Sequence, residues 1–341
     1  MATLTPLRDR VVAPIDLPIP NTTEELDWRR ATAADVDVIL DAMRAVDAVD
    51  HPHFVTTREE VEDDLGHSYV DLEQDSLLAV DRVGRVIAYG LVVLSPGQET
   101  LVRSIFLGGV RPSHRGQGIG RQLLAWQEAR ALQQFAGSEK PLPGWMIVWT
   151  DERAKPTVRL AERSGFRIVR YFLELRRDLS VPVAARPLAG FDIVPFTADR
   201  SEAVRLARND AFRDHWGSQP TTQEDWQESV SREVFRPDLS YLAIAPGGEV
   251  AGFVLSEVNE EDFEPQGFTS AYIDLVGVPR AFRGRGVAPA LLTRTLEAVA
   301  AAGLEQAVLD VDAENPTGAL GLYTDVGFAE ANRSLQLTKV F

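Results

Sequence analysis

Cysteine is absent from all 341 residues of this chain. Its absence excludes disulfides, cysteine-based zinc sites and a thiol nucleophile, and it fits a cytoplasmic protein. Basic residues are scarce beside acidic ones: 35 Lys and Arg face 51 Asp and Glu, for a net charge of −16. A surface of that sign repels phosphate backbones, so nucleic acid is not an expected partner. It attracts cationic small molecules such as amines only weakly. Long apolar runs are also lacking. The opening "MATLTPLRDRVVAPIDLPIP" has scattered charge and several prolines. Neither a signal peptide nor a membrane span is expected from it, and residues 1–25 read as a tail, extended or draped over the body. No metal is called for.

What is present is a repeat. "RRATAADVDVILDAMRAV" from Arg29 is matched by "VPFTADRSEAVRLARNDAF" from Val194, and "SLLAVDRVGRVIAYGLVVL" from Ser76 by "SYLAIAPGGEVAGFVLSEV" from Ser240. "GVRPSHRGQGIGRQLL" from Gly109 is matched by "GVPRAFRGRGVAPALL" from Gly277, and "LAERSGF" from Leu160 by "LYTDVGF" from Leu322. The spacings agree: Thr32 to Thr197 is 165 residues, Arg115 to Arg283 is 168 and Gly165 to Gly327 is 162. Four segments in one order at similar offsets imply a duplicated domain. The expected division is a tail over 1–25, a first domain over 26–180, a linker over 181–189 inside the Pro-containing "SVPVAARPLAG", and a second domain over 190–341. Each copy reads as helix, helix, hairpin, strand, helix, strand, helix, strand. That pattern predicts an α/β fold (α+β, with a mixed sheet) and helices on both faces. In the second copy, Pro316 is placed in the first turn of the last helix.

Each copy carries a glycine loop between an apolar strand and an amphipathic helix: "RGQGIG" over Arg115–Gly120 and "RGRGVA" over Arg283–Ala288. Small residues let the backbone curl and approach a ligand, and the amides and dipole of the helix start favour an anion. The spacing lacks the third glycine position of the dinucleotide fingerprint and the Gly-Lys-Ser/Thr of the P-loop.

These loops resemble the coenzyme-A-binding segment of GNAT-type N-acetyltransferases. Arg115, Gly118 and Gly120 match its pattern in the first copy, and Arg283, Gly286 and Ala288 match it in the second. "NPTGALGLYTDVGF" resembles the segment that follows in that family. The tandem arrangement resembles the mycothiol synthase-like two-domain acetyltransferases. The resemblance implies two tandem acyl-CoA N-acyltransferase domains with acetyl-CoA as co-substrate. In the second copy the cofactor would contact Val276, Val278, Arg283, Gly284, Arg285, Gly286, Val287, Ala288 and Asn315. In the first it would contact Val110, Arg115, Gly116, Gly118, Ile119 and Gly120. Tyr323 takes the position of the proton donor to the departing thiolate.

Asp274, a carboxylate in the apolar strand "YIDLVGV", is the candidate base, since a buried Asp without a role is costly. His215 and Trp216 are candidates for acceptor binding. At the same offsets the first copy has Ala161 for Tyr323, Arg153 for Asn315 and Phe106 for Asp274. It is therefore expected to keep the phosphate cradle without the chemistry. The expected activity is transfer of an acetyl group to the primary amine of a small molecule, by direct attack, in the C-terminal copy. Mycothiol synthase-like acetylation and a non-catalytic acyl-CoA-binding role are the alternatives. The cradle reads the coenzyme and leaves the acyl chain and the oligomeric state open.

Overall fold

The computed structural model describes residues 4–315 and 318–341; Pro316 lies outside them. The chain forms two compact units, Met1–Val169 with Leu335–Phe341, and Arg170–Ser334.

In the first unit the described elements run β1 (Leu26–Arg29), α1 (Val36–Asp50), α2 (Arg58–Gly66), the single turn α3 (Leu72–Asp75), β2 (Ser76–Asp81), β3 (Val86–Val93), β4 (Val102–Val110), α4 (Ile119–Ala136), β5 (Gly144–Asp151) and α5 (Lys155–Arg163). In the second they run β6 (Arg167–Asp178, from residue 170), β7 (Asp192–Pro195), α6 (Ser201–Ala211), α7 (Gln223–Ser231), β8 (Tyr241–Ile244), β9 (Val250–Glu257), α8 (Phe263–Gln266), β10 (Ser270–Gly277), α9 (Val287–Ala301), β11 (Gln306–Asp312) and α10 (Ala319–Asp325). The last strand, β12 (Ala329–Val340), supplies the first unit from residue 335 onward. No helix among the described residues is long and apolar enough to cross a membrane.

The strand order is β1-β2-β3-β4-β5-β12 in the first unit and β7-β8-β9-β10-β11-β6 in the second. The closing strand of each unit therefore comes from the other repeat. Residues 172–178 of β6 pair antiparallel with β11, and Phe341 exchanges backbone hydrogen bonds with Gly144 at 2.8 and 3.0 Å. The units accordingly divide at 170 and 335, whereas the repeat alone suggests 180 and 190. Composition marks the Pro-containing stretch but is blind to a strand exchange. The short edge strands β1 and β7 also go unread in the sequence, being four residues each.

The two sides of each sheet bury separate cores. In the second unit, Leu291, Leu292, Leu296 and Val299 of α9 pack with Leu309 and Val311 on one side. Val204, Ala207 and Trp226 of α6 and α7 pack with Phe253 and Leu255 on the other. The start of the N-terminal stretch is tied to the first unit: Leu7 is fully buried and its amide donates to the Lys140 carbonyl at 2.9 Å.

Candidate functional site

The glycine loops share one backbone. Gly116 and Gly118 have φ of 80° and 88°, and Gly284 and Gly286 have φ of 74° and 80°. Left-handed geometry of this kind disfavours other residues. Gly118 and Gly286 are the N-caps of α4 and α9. Intrahelical bonding begins with Gln122 N to Gly118 O at 3.1 Å and with Ala290 N to Gly286 O at 3.3 Å. The preceding amides, of residues 119–121 and of Val287 and Ala288, open onto the loop, while Pro289 has none to offer. The side chains of Ile119 and Val287 are buried, so an anion meets their backbone only. A Cβ on Gly120 would come within 3.3 Å of Leu160; the second unit places Ala288 there.

The loop arginines turn away from the amides. Arg115 Nε donates to the Val110 carbonyl at 3.0 Å, and its terminal nitrogens hold the buried Asp50 carboxylate at 2.7 and 2.8 Å. Arg283 Nε donates likewise to the Val278 carbonyl at 3.2 Å, and Nη2 donates to the Ala211 carbonyl at 2.8 Å. Both brace the loop against its strand. Arg285 is exposed in the loop, its guanidinium carbon 5.7 Å from the Phe282 ring centroid.

Next to each loop two parallel strands part. β4 pairs with β5 only over Val102–Ile105, and β10 with β11 only over Ser270–Tyr272, although all four strands run on. In the first unit this fork opens into a cavity of about 780 Å³ whose lining includes Val110, Gly116, Gly118, Trp149 and Ala161. Loop, fork and cavity suit an extended, pyrophosphate-bearing ligand.

At the same place β10 carries a β-bulge. Leu275 faces Leu255 and Ile273 faces Ser256, which leaves Asp274 as an extra residue. Ile273 packs with the α9 core and Leu275 with the core of α6 and α7, so the bulge switches faces, as bulges do. β4 has no such break: Leu107 faces Leu91 and Phe106 faces Val92. The structural counterpart of Phe106 is therefore Ile273, and Asp274 has none, which corrects the fixed offset of 168. Asp274 is open to solvent, yet surrounding protein raises its pKa through desolvation, against the pull of Arg208 and Arg232.

Tyr323 lies near the end of α10. Phe328 N donates to its carbonyl at 3.1 Å, and Phe166 N donates to the Ala161 carbonyl at 3.0 Å. Tyr323 and Ala161 thus occupy one backbone position, and Ala161 lines the first unit's cavity. Tyr323 is 7% exposed, and burial pushes its phenol up to about 12. The match of Arg153 with Asn315 needs correcting. Arg153 N donates to Asp151 Oδ1 as Glu314 N does to Asp312 Oδ1, at 2.7 and 2.9 Å. Ala154, whose amide donates to the Asp151 carbonyl as Asn315 N does to that of Asp312, is the counterpart of Asn315. Trp216 stacks under the Arg170 guanidinium at 4.4 Å, and Arg170 also pairs with Glu314. His215 packs against Phe212.

Two residues where β10 and β11 part escape sequence reasoning. Tyr272 donates its hydroxyl to Asp310 Oδ2 at 3.0 Å. Alternation within "AVLDVD" marks Asp310 as facing away from the core, but its partner on β10 emerges only from the parallel register.

Residues 202–328 match the acetyltransferase (GNAT) family model, and residues 73–168 match a second model described as acetyltransferase (GNAT) domain. The chain belongs to the GNAT acetyltransferase family, with two such domains in tandem, and the family takes acetyl-CoA as co-substrate. Among particular relatives, a mycothiol acetyltransferase of Frankia alni is 30% identical over 335 residues, 92% of this chain and 94% of its own. One from Renibacterium salmoninarum is 29% identical over 225 residues, 64% of this chain and 62% of the relative. A GCN5-related N-acetyltransferase from Sphaerobacter thermophilus superposes with a TM-score of 0.68 at 26% identity, over 94% of this chain and 97% of that one. A tandem GNAT protein from the clavulanic acid biosynthesis pathway shares the fold, with a TM-score of 0.67 at 19% identity, over 93% of this chain and 98% of its own.

Proposed function

We propose that the chain moves an acetyl group from acetyl-CoA to the primary amine of a small-molecule acceptor, and that the second unit performs the chemistry. One observation carries the assignment: the position that lines the first unit's cavity as Ala161 is Tyr323 in the second. The amine nitrogen bonds to the thioester carbon, the carbon–sulfur bond breaks, and the sulfur leaves with its electron pair. The loop amides and Arg285 hold the pyrophosphate. Tyr323 offers its hydroxyl to the departing sulfur. With a pKa raised to about 12, it keeps its proton throughout the neutral range and acts as a hydrogen-bond donor as charge builds on sulfur. The amine enters as an ammonium and loses one proton before attack, to Asp274 or to water beside it; the nitrogen loses a second as the carbon–sulfur bond breaks, and the CoA thiolate gains one from solvent, so that the amide and the free thiol form. Trp216 and His215 line the acceptor side, and Val276 and Val278 run along the coenzyme's arm. The first unit keeps the cradle as a binding or supporting domain, and the setting is cytoplasmic.

The relatives named mycothiol acetyltransferase make the amine that such an enzyme acetylates the first acceptor to try. The experiment is free-thiol release from acetyl-CoA with that amine, spermidine, glucosamine, L-serinamide, L-serine and a glycyl peptide. Turnover with at least one is expected; none with any would end the acetyl-transfer reading.

Asp274 gives a pH prediction. A base works when deprotonated, and desolvation raises this carboxyl, so kcat/KM should fall as pH drops through a pKa above the ordinary carboxylate value of about 4. Asp274→Asn should remove that acid limb and lower the plateau by roughly tenfold. An unchanged limb in the variant would reassign the base.

A further inference from the structure

The Tyr272–Asp310 pair sits where the second unit's strands part. Tyr272 faces Val308 in the last paired step of β10 and β11, and Asp310 lies two residues further along β11, on the same face. Tyr272 is also two residues from the Asp274 bulge. The phenol is half-buried, whereas Asp310 and Asp274 are open to solvent. Cross-strand neighbours add charge of one sign: Glu257 stands beside Tyr272, and Glu174 beside Asp310. Arg176 pairs with Glu174 at 2.6 Å, and Arg208 and Arg232 are the cations whose fields reach Asp274. In the first unit, Ile105 occupies the paired position of Tyr272, facing Ile147. Trp149 stands two residues beyond Ile147, as Asp310 does beyond Val308. The pair therefore belongs to the unit that carries Tyr323.

A phenol whose proton is committed to a carboxylate presents an oxygen with free lone pairs and enhanced electron density. Such an oxygen accepts from N–H, and the carboxylate behind it makes the bond charge-assisted for a cation. Resting on the acetyl-transfer reading above, we propose that Tyr272 and Asp310 receive the acceptor's amine as an ammonium ion beside Asp274. Tyr272 accepts one N–H, and Asp310 is a positioning residue that fixes the phenol and balances the charge. The arrangement also selects the acceptor class. A carboxylate attached to the carbon that bears the amine would lie among Asp274, Asp310 and Glu257, so amines without one, such as amides, amino sugars and polyamines, are preferred over free α-amino acids.

The test uses the full chain and the same acceptor panel. On the amine with the highest kcat/KM, Tyr272→Phe should raise acceptor KM at least tenfold, with acetyl-CoA KM within twofold of wild type. Asp310→Asn should do the same, with Asp310→Glu recovering most of the loss, a rescue that a merely structural role does not predict. L-serinamide should exceed L-serine in kcat/KM by at least tenfold. Thermal melts of each variant check that the fold is kept. Wild-type turnover with acceptor KM unmoved in Tyr272→Phe overturns this inference alone, as does equal use of L-serine and L-serinamide. Absence of wild-type turnover with every amine overturns the acetyl-transfer reading, and this inference falls with it.

Discussion

Tyr323→Phe is expected to lower kcat about a hundredfold, with acetyl-CoA KM within twofold of wild type. The change deletes one oxygen from a side chain that is 7% exposed and lies edge-on to Phe328 at 6.0 Å. Packing is retained, so stability should change by less than about 1.5 kcal/mol. What the proposed mechanism loses is a donor positioned for a charge that exists only while sulfur departs. An interaction made only in the transition state appears in kcat and leaves ground-state binding untouched. General-acid contributions run from about a hundredfold upward. A phenol raised to about 12 is a weaker acid than an ordinary one at about 10, and a thiolate of pKa about 8.5 does not take its proton outright. The low end of the range is therefore the reasonable figure. The same raised value predicts that an alkaline limb in the rate, if seen below pH 11, belongs to another group. Single-turnover CoA release and an acetyl-CoA KM for wild type and variant check the prediction; a kcat within threefold of wild type would remove Tyr323 from the chemistry.

Much of this was legible because repeats are legible. The glycine loops and the Gly-Phe turns each recur with the same backbone hydrogen bonds, so comparing the two copies exposes Tyr323 against Ala161 without any alignment. The failures have separate causes. A single offset cannot follow insertions: β3 and β9 correspond at 164 residues, while the loops correspond at 168. It therefore sets Asp274 against Phe106, although Asp274 is the extra residue of a bulge. Periodicity does not reveal a bulge when the neighbours on both faces are apolar, as Ile273 and Leu275 are. The strand exchange leaves no compositional trace, because β6 and β12 are ordinary strands whichever unit they complete. Tyr272–Asp310 stayed hidden for a third reason. The residues are 38 apart, and only parallel register brings them together. For the loop arginines the motif was legible and the bonds were not: both donate back to strand carbonyls.

Gly286→Asp is expected to raise acetyl-CoA KM about a hundredfold or more, while the matching Gly118→Asp leaves kcat and both KM values within about twofold. Both glycines cap a helix with positive φ, and Asp tolerates that geometry better than most residues. Neither added Cβ meets backbone: the space at Gly286 is open, and the nearest atom at Gly118 is the far end of the Arg121 side chain at 3.5 Å. The new carboxylate, however, stands at the amides proposed to receive the pyrophosphate. Two like charges about 4 Å apart repel by about 4 kcal/mol at the effective dielectric of a protein surface, enough to account for a hundredfold loss even after partial screening. Direct binding of CoA, followed by calorimetry, separates the units. Gly118→Asp should abolish any binding in the first unit's cavity without slowing the reaction, and Gly286→Asp should abolish the reaction at ordinary acetyl-CoA concentrations. The reverse pattern would move catalysis to the first unit, where Ala161 offers no hydrogen-bond donor, and would force a different account of how sulfur leaves.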